Sequence, residues 1–221
     1  IGSSANNVIA MTFDTGSNTK TFKNDTAGEI NLTGDKSTAM YATGAGTYTA
    51  ENSGKITLGN SANANNPNVA MFTDKSRITL KNNGKIIAGN KTVGLYGYAA
   101  NTGSNSDISV GQGGTGIYSK GGNITLNGKM AVGAKDAVGV YSVGVGQTII
   151  NNATSIKIGD SSYGFVNKQT AGGNTFISNT PSVKVGNDVV YAYSTDTKGT
   201  VNNKTVLTST GSGNYGLYSA G

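Results

Sequence analysis

The sequence predicts an all-β chain wound as a three-faced parallel β-helix, a solenoid of roughly eight coils. The leading observation is a recurring triplet of a small residue, an aliphatic and usually a tyrosine. It reads Ala39-Met40-Tyr41, Ala70-Met71-Phe72, Gly94-Leu95-Tyr96, Gly116-Ile117-Tyr118, Gly139-Val140-Tyr141, Gly164-Phe165-Val166, Tyr191-Ala192-Tyr193 and Gly216-Leu217-Tyr218. Its third positions return at steps between 22 residues (Tyr96 to Tyr118) and 31 residues (Tyr41 to Phe72). A period in the twenties means one supersecondary unit stacked on copies of itself. The second observation is alternation of apolar and polar residues in short runs closed by Gly and Asn, the mark of strands and turns. The third is composition: 34 glycines but only 2 prolines in 221 residues. Collagen would need glycine at every third position and much more proline. Disorder is disfavoured because Ile, Val and Leu return on schedule.

One coil, residues 114–142, shows the elements in order. Thr115-Gly116-Ile117-Tyr118 is a strand, and Gly121-Gly122 turns it. Asn123-Ile124-Thr125-Leu126 is a second strand, turned by Asn127-Gly128. Lys129-Met130-Ala131-Val132 is a third, and Gly133-Ala134-Lys135-Asp136 leads into Val138-Gly139-Val140-Tyr141 of the next coil. In the third strand one inward column reads Ile30, Ile56, Ile86, Ile108, Met130, Ile156, Val183, Val206. Two residues on, a second reads Leu32, Leu58, Ala88, Val110, Val132, Ile158, Val185, Thr208. Residues i and i+2 share a face, so both columns point inward and the residues between them outward. A further inward column is Met40, Met71, Leu95, Ile117, Val140, Phe165, Ala192, Leu217. Glycine follows the third strand at Gly59, Gly89, Gly111, Gly133, Gly159 and Gly186, read as turns that need positive φ. Asn82, Asn127, Asn151 and Asn179 are read as one stacked turn column.

Two stretches depart from the repeat. The turn before Val69 swells to residues 60–68, and between residues 98 and 106 the middle strand is poorly marked. Insertions on solenoids often sit on a binding face, although loops that drift under no constraint are the more frequent case. The ligand-binding candidates are therefore Asn63, Asn65, Asn66 and Asn68 in the first stretch, with Tyr98, Asn101 and Asn105 in the second. The tyrosine column is either a sugar platform or an aromatic stack that packs a corner; its recurrence in nearly every coil favours packing. Lys157 and Lys184 are expected to stack outward as a solvated pair.

The chain has no cysteine and no histidine, so disulfides and Ser-His or Cys-His triads are excluded. Asp136, Asp160 and Asp188 fall at nearly equivalent turns, spaced as a column rather than as an acid/base pair. No catalytic residue, metal site or cofactor is expected. The net charge of +6 comes from scattered lysines and one arginine, Arg77, which argues against nucleic acid as a partner. No run approaches the roughly 20 apolar residues of a spanning helix. The chain is expected to be one β-helical segment, residues 1–221, cut from a longer protein.

Gly122-Asn123-Ile124-Thr125-Leu126-Asn127-Gly128-Lys129, followed by Ala137-Val138-Gly139-Val140-Tyr141-Ser142, resembles the passenger repeats of large type V autotransporter adhesins, most closely those of fusobacteria. Gly84-Lys85-Ile86-Ile87-Ala88-Gly89 with Val93-Gly94-Leu95-Tyr96, and Ser155-Ile156-Lys157-Ile158-Gly159 with Tyr163-Gly164-Phe165, are similar fragments. The resemblance implies a right-handed β-helix exported through an outer-membrane barrel and held at the bacterial surface. It implies attachment to host-cell glycans, to immunoglobulin-like receptors or to other bacteria. It offers no short binding motif to carry over. The expected function is an adhesin segment. A stalk that only spaces a binding tip is the alternative, and a polysaccharide-cleaving β-helix is a remote one.

Overall fold

Alternating Ile, Val and Leu, stopped every few residues by Gly or Asn, produce strands two to six residues long. The computed structural model describes residues 1–18 and 20–220. Its strands form three parallel sheets, a first of nine strands from Gly2–Ser3 to Val206–Ser209, a second of nine from Ile9–Asp14 to Tyr215–Ser219 and a third of eight from Phe22–Asn24 to Thr200–Asn203, and every third strand along the chain belongs to the same sheet. Each strand pairs with its counterpart one coil away, as Ile86 does with Ile56 and Ile108, and Ile117 with Leu95 and Val140. This is the three-faced β-helix expected, with one coil more than the triplets show. The additional coil comes first, where Met11 pairs with Met40 and Thr12 stands opposite Tyr41. Thr12 in the aromatic column hid it.

The inward columns meet in one continuous core from Phe22 to Ala192. Ile30, Ile56, Ile86 and Ile108 are essentially sealed from solvent, as are Met40, Met71, Leu95 and Ile117. The last coil corrects the predicted column. Val206 pairs with Ser182, and Leu207 with Val183, so Leu207 rather than Val206 turns to the core. Val206 is 61% exposed. The shift follows the preceding turn, where Thr205 is buried with its Oγ1 2.6 Å from Ser178 Oγ. Tyr191 takes a position held by Ala or Gly in other coils, and its hydroxyl lies 2.6 Å from Ser178 Oγ.

The glycine column is also corrected. None of Gly59, Gly89, Gly111, Gly133, Gly159 and Gly186 is among the positive-φ residues. After all but Gly59 the left-handed position lies two residues further on, at Lys91, Gly113, Lys135, Ser161 and Asp188. The glycines are needed for close approach: a Cβ on Gly59 would sit 2.6 Å from Thr33 O, and one on Gly159 2.6 Å from Ala134 N.

The asparagines make two ladders, not one. Inside, Asn24 Nδ2 donates to Asn52 Oδ1 (2.8 Å), Asn52 Nδ2 to Asn82 Oδ1 (2.8 Å), and Asn82 Nδ2 to Ser104 Oγ (3.0 Å). Leu126 interrupts this column before Asn151 resumes it. Outside, Asn105 donates to Asn83 (2.9 Å), Asn127 to Asn105 (2.7 Å), Asn152 to Asn127 (3.1 Å) and Asn179 to Asn152 (2.8 Å). Asn82 and Asn151 therefore belong to the buried ladder, and Asn127 and Asn179 to the exposed one.

Asp196 pins a corner near the end of the rod. Its buried carboxylate accepts backbone N–H groups from Asn174 (2.8 Å), Gly173 (3.2 Å) and Lys198 (3.1 Å). Burial acts to raise its pKa, but these hydrogen bonds override it and hold the carboxyl below its usual 3.8. The folded protein thus releases this proton more readily than the unfolded chain. The stabilisation is complete above about pH 4 and is lost as pH falls through the lowered value. Asp196→Asn should flatten part of the acid limb of a melting-temperature profile. An unaltered limb would show that Asp196 does not contribute to it.

Candidate functional site

The outward column of the second sheet is the aromatic one. Tyr41, Phe72, Tyr96, Tyr118 and Tyr141 face out and are half-buried. Tyr41 and Phe72 stack at 5.2 Å, Tyr96 and Tyr118 at 4.7 Å, and Tyr118 and Tyr141 at 5.4 Å; Phe72 meets Tyr96 edge-on at 5.1 Å. Val166 breaks the run before Tyr193 and Tyr218 stack at 5.5 Å. Stacking turns ring faces towards one another and leaves mainly edges to solvent, so the column is a packing spine. Burial also raises the phenol pKa values of Tyr96 and Tyr141.

Tyr98 differs. It lies two residues beyond Tyr96 in the strand Val93–Tyr98, is 46% exposed and stands outside the stack. Lys120, opposite it in the following coil, holds Nζ 5.2 Å from the ring centroid. The two preceding coils, with Ala99 of the same coil, form a depression of about 480 Å³ against Tyr98, lined by Gly44, Ala45, Asp74, Lys75, Ser76 and Arg77. Gly44 in its wall adopts φ 99, and a Cβ there would fall 2.5 Å from Thr15 N. Asp74 accepts from Thr43 Oγ1 at 2.8 Å and pairs with Lys75 at 3.0 Å. Burial works to raise the Asp74 carboxyl, yet the bonds from Thr43 and Lys75 keep it below the usual range.

Round the same corner, the third sheet has a groove. Gly103 pairs between Lys81 and Thr125, and its missing side chain leaves a cleft of about 290 Å³. Thr79, Asn101, Asn105 and Asn123 also line it. Asn101 Oδ1 accepts Asn123 N–H at 2.9 Å, while Asn105 has both amide ends engaged in the exposed ladder. The structure thus places Tyr98 beside one hollow and brings Asn101 and Asn105 together in the next. The poorly marked stretch does hold a strand, Thr102–Ser104, with Gly103 at its centre.

The other predicted residues lie apart, on the corner between the first and second sheets. Asn63, Asn65 and Asn66 are exposed, with Asn65 N–H bonded to Asn63 Oδ1 at 2.9 Å. Asn68 is a correction. It is sealed from solvent, its Nδ2 donates to Gly34 O (3.0 Å) and Gly59 O (3.2 Å), and its Oδ1 accepts Ser37 N–H (2.8 Å). It fastens the base of the loop and presents nothing to a ligand.

Sequence reasoning missed Asp74, Lys75 and Arg77. The available signal was Arg77 itself, the single arginine, following the triplet Ala70-Met71-Phe72. The aspartates do not form the expected column either. Lys135 N–H bonds to Asp160 O, Asp136 N–H to Ser161 O and Ser161 N–H to Asn187 O, so Asp136, Asp160 and Asp188 occupy three different turn positions. Among the described residues, no three acidic side chains converge as a metal site, and no helix is long and apolar enough to cross a membrane.

Fold and site together define a parallel β-solenoid whose ladder-locked exterior opens into two hollows at one corner. Comparison with protein-family models, curated proteins and solved structures gives no match to this chain.

Proposed function

We propose that the chain is the adhesive passenger segment of a bacterial surface autotransporter, presented outside the outer membrane, and that the corner at residues 98–105 contacts a host or bacterial glycan. The repeat resemblance motivates the class. The observation that carries the site is the pair of hollows on either side of that corner, one walled by an exposed tyrosine and the other lined by amides and hydroxyls. Such surfaces suit sugars, which offer an apolar ring face and many hydroxyls. Many weak contacts along a rigid rod would add through multivalency. The mode of action is binding rather than catalysis, a reading supported by the dispersed aspartates.

Gly103→Thr tests the placement. A Cβ at Gly103 meets only Thr125 O, at 3.3 Å, so a threonine fills the groove with a shift of a few tenths of an ångström at that carbonyl, and an unchanged melting temperature verifies that the fold is kept. The purified protein should bind epithelial or lymphoid cells in flow cytometry, and the variant should lose most of that binding. Full binding by Gly103→Thr removes the groove from the site. Absence of binding by the wild type moves the function to the second reading, a stalk, which the two amide ladders favour by stiffening the rod.

A further inference from the structure

The depression beside Tyr98 carries a charge pattern that narrows the ligand. Asp74 is the carboxylate in its wall, and both its oxygens are taken, by Thr43 and Lys75. Asp14, two coils earlier, adds a weak attraction on Lys75. Arg77 is exposed and, among the described residues, has no ion-pair partner. It is the only arginine in the chain, and it stands in the same hollow as the exposed tyrosine. A guanidinium binds a carboxylate through two parallel N–H bonds, which a lysine cannot match. Tyr98 lines the hollow, and Lys120 of the following coil holds Nζ 5.2 Å from its ring centroid. A volume of about 480 Å³ admits one or two sugar rings.

We propose that this depression binds a carboxylate-bearing sugar, with the pyranose ring against Tyr98 and the carboxylate on Arg77. The inference rests on the glycan-binding reading above and specifies its ligand. It uses residues other than the Gly103 groove, so the two fail separately.

The test is titration of the purified chain with a glucuronic-acid-terminated disaccharide and with its glucose-terminated counterpart, followed by NMR at fixed ionic strength. The acidic probe should shift the Tyr98 and Arg77 signals, and the neutral one should bind about tenfold or more weakly. Arg77→Gln and Tyr98→Ala should each weaken the acidic probe by a similar factor, while Lys184→Gln, far along the rod, should leave it unchanged. Equal binding of the two disaccharides overturns the proposal. So does acidic-probe binding that survives Arg77→Gln, or that Lys184→Gln weakens equally, since that would be general charge attraction. Cell binding without any response to the acidic sugar sinks this inference and leaves the adhesin reading standing. Loss of both sinks the two together.

Discussion

Asn52→Ala should destabilise the protein by roughly 3–5 kcal/mol, whereas Asn127→Ala should cost less than about 1 kcal/mol. The two residues make the same ladder bonds, and Asn52 Nδ2 also donates to Gly54 O at 3.3 Å. Asn52 accepts from Asn24 and donates to Asn82, both at 2.8 Å; Asn127 donates to Asn105 at 2.7 Å and accepts from Asn152 at 3.1 Å. Burial separates them. Asn52 has no exposed surface, and its two partners are also buried. Truncating it strands a donor on Asn24 and an acceptor on Asn82 where water cannot reach, at about 1–3 kcal/mol each, with a small cavity besides. Around Asn127 the amides are exposed and water replaces the lost bonds. Asn52→Leu should recover part of the loss in packing, because Leu126 already occupies this column. The readout is unfolding free energy, together with amide exchange in the strands Tyr48–Asn52 and Ile78–Asn82. A solenoid opens locally, so protection there should fall before it falls in distant coils. Equal costs for Asn52→Ala and Asn127→Ala would mean that ladder geometry, not desolvation, sets the stability.

The sequence made the axis of this fold legible and much of its circumference illegible. Columns such as Ile56, Ile86 and Ile108 could be read because a strand on a narrow core has one inward face, and a one-residue slip would expose it. At Val206 and Leu207 that constraint loosens. Both residues are apolar, so alternation cannot choose between them, and the turn at Thr205 makes the choice. The asparagine ladders failed for a similar reason. Asn82 and Asn83 are adjacent in sequence yet on opposite sides of the wall, and an Asn-Asn pair carries no mark of which one is inside. Tyr98 could be singled out as off-pattern. Its partners Asp74 and Arg77 could not, because they come from the coil before, and only the lateral register brings them beside it.

The glycine column offers the sharpest separation of two explanations for one residue. If Gly133 were kept for a left-handed backbone, asparagine would be tolerated there, since its side chain accepts that conformation. The geometry predicts the opposite. A Cβ on Gly133 would strike the backbone of Gly111 and come 2.6 Å from Gln112 N. These are main-chain atoms of the neighbouring coil, held by the ladder in which Gly133 N–H bonds Val110 O at 2.9 Å. No flexible side chain can yield, so the coils must separate. Gly133→Ala and Gly133→Asn should therefore be about equally damaging, at or above the roughly 1–3 kcal/mol of ordinary overpacking. Two residues away the sign reverses. Lys135 has φ 53, and Asn7 holds the corresponding place in the first coil with φ 59. Lys135→Asn relieves a left-handed cost of about 1 kcal/mol and should stabilise the protein by a fraction of that. Thermal unfolding of the three variants decides the matter. Tolerance of Gly133→Asn alongside a damaging Gly133→Ala would restore the positive-φ explanation. Damage from both, with a gain at Lys135→Asn, would establish that the glycines set the spacing between coils while the residues beyond them make the turn.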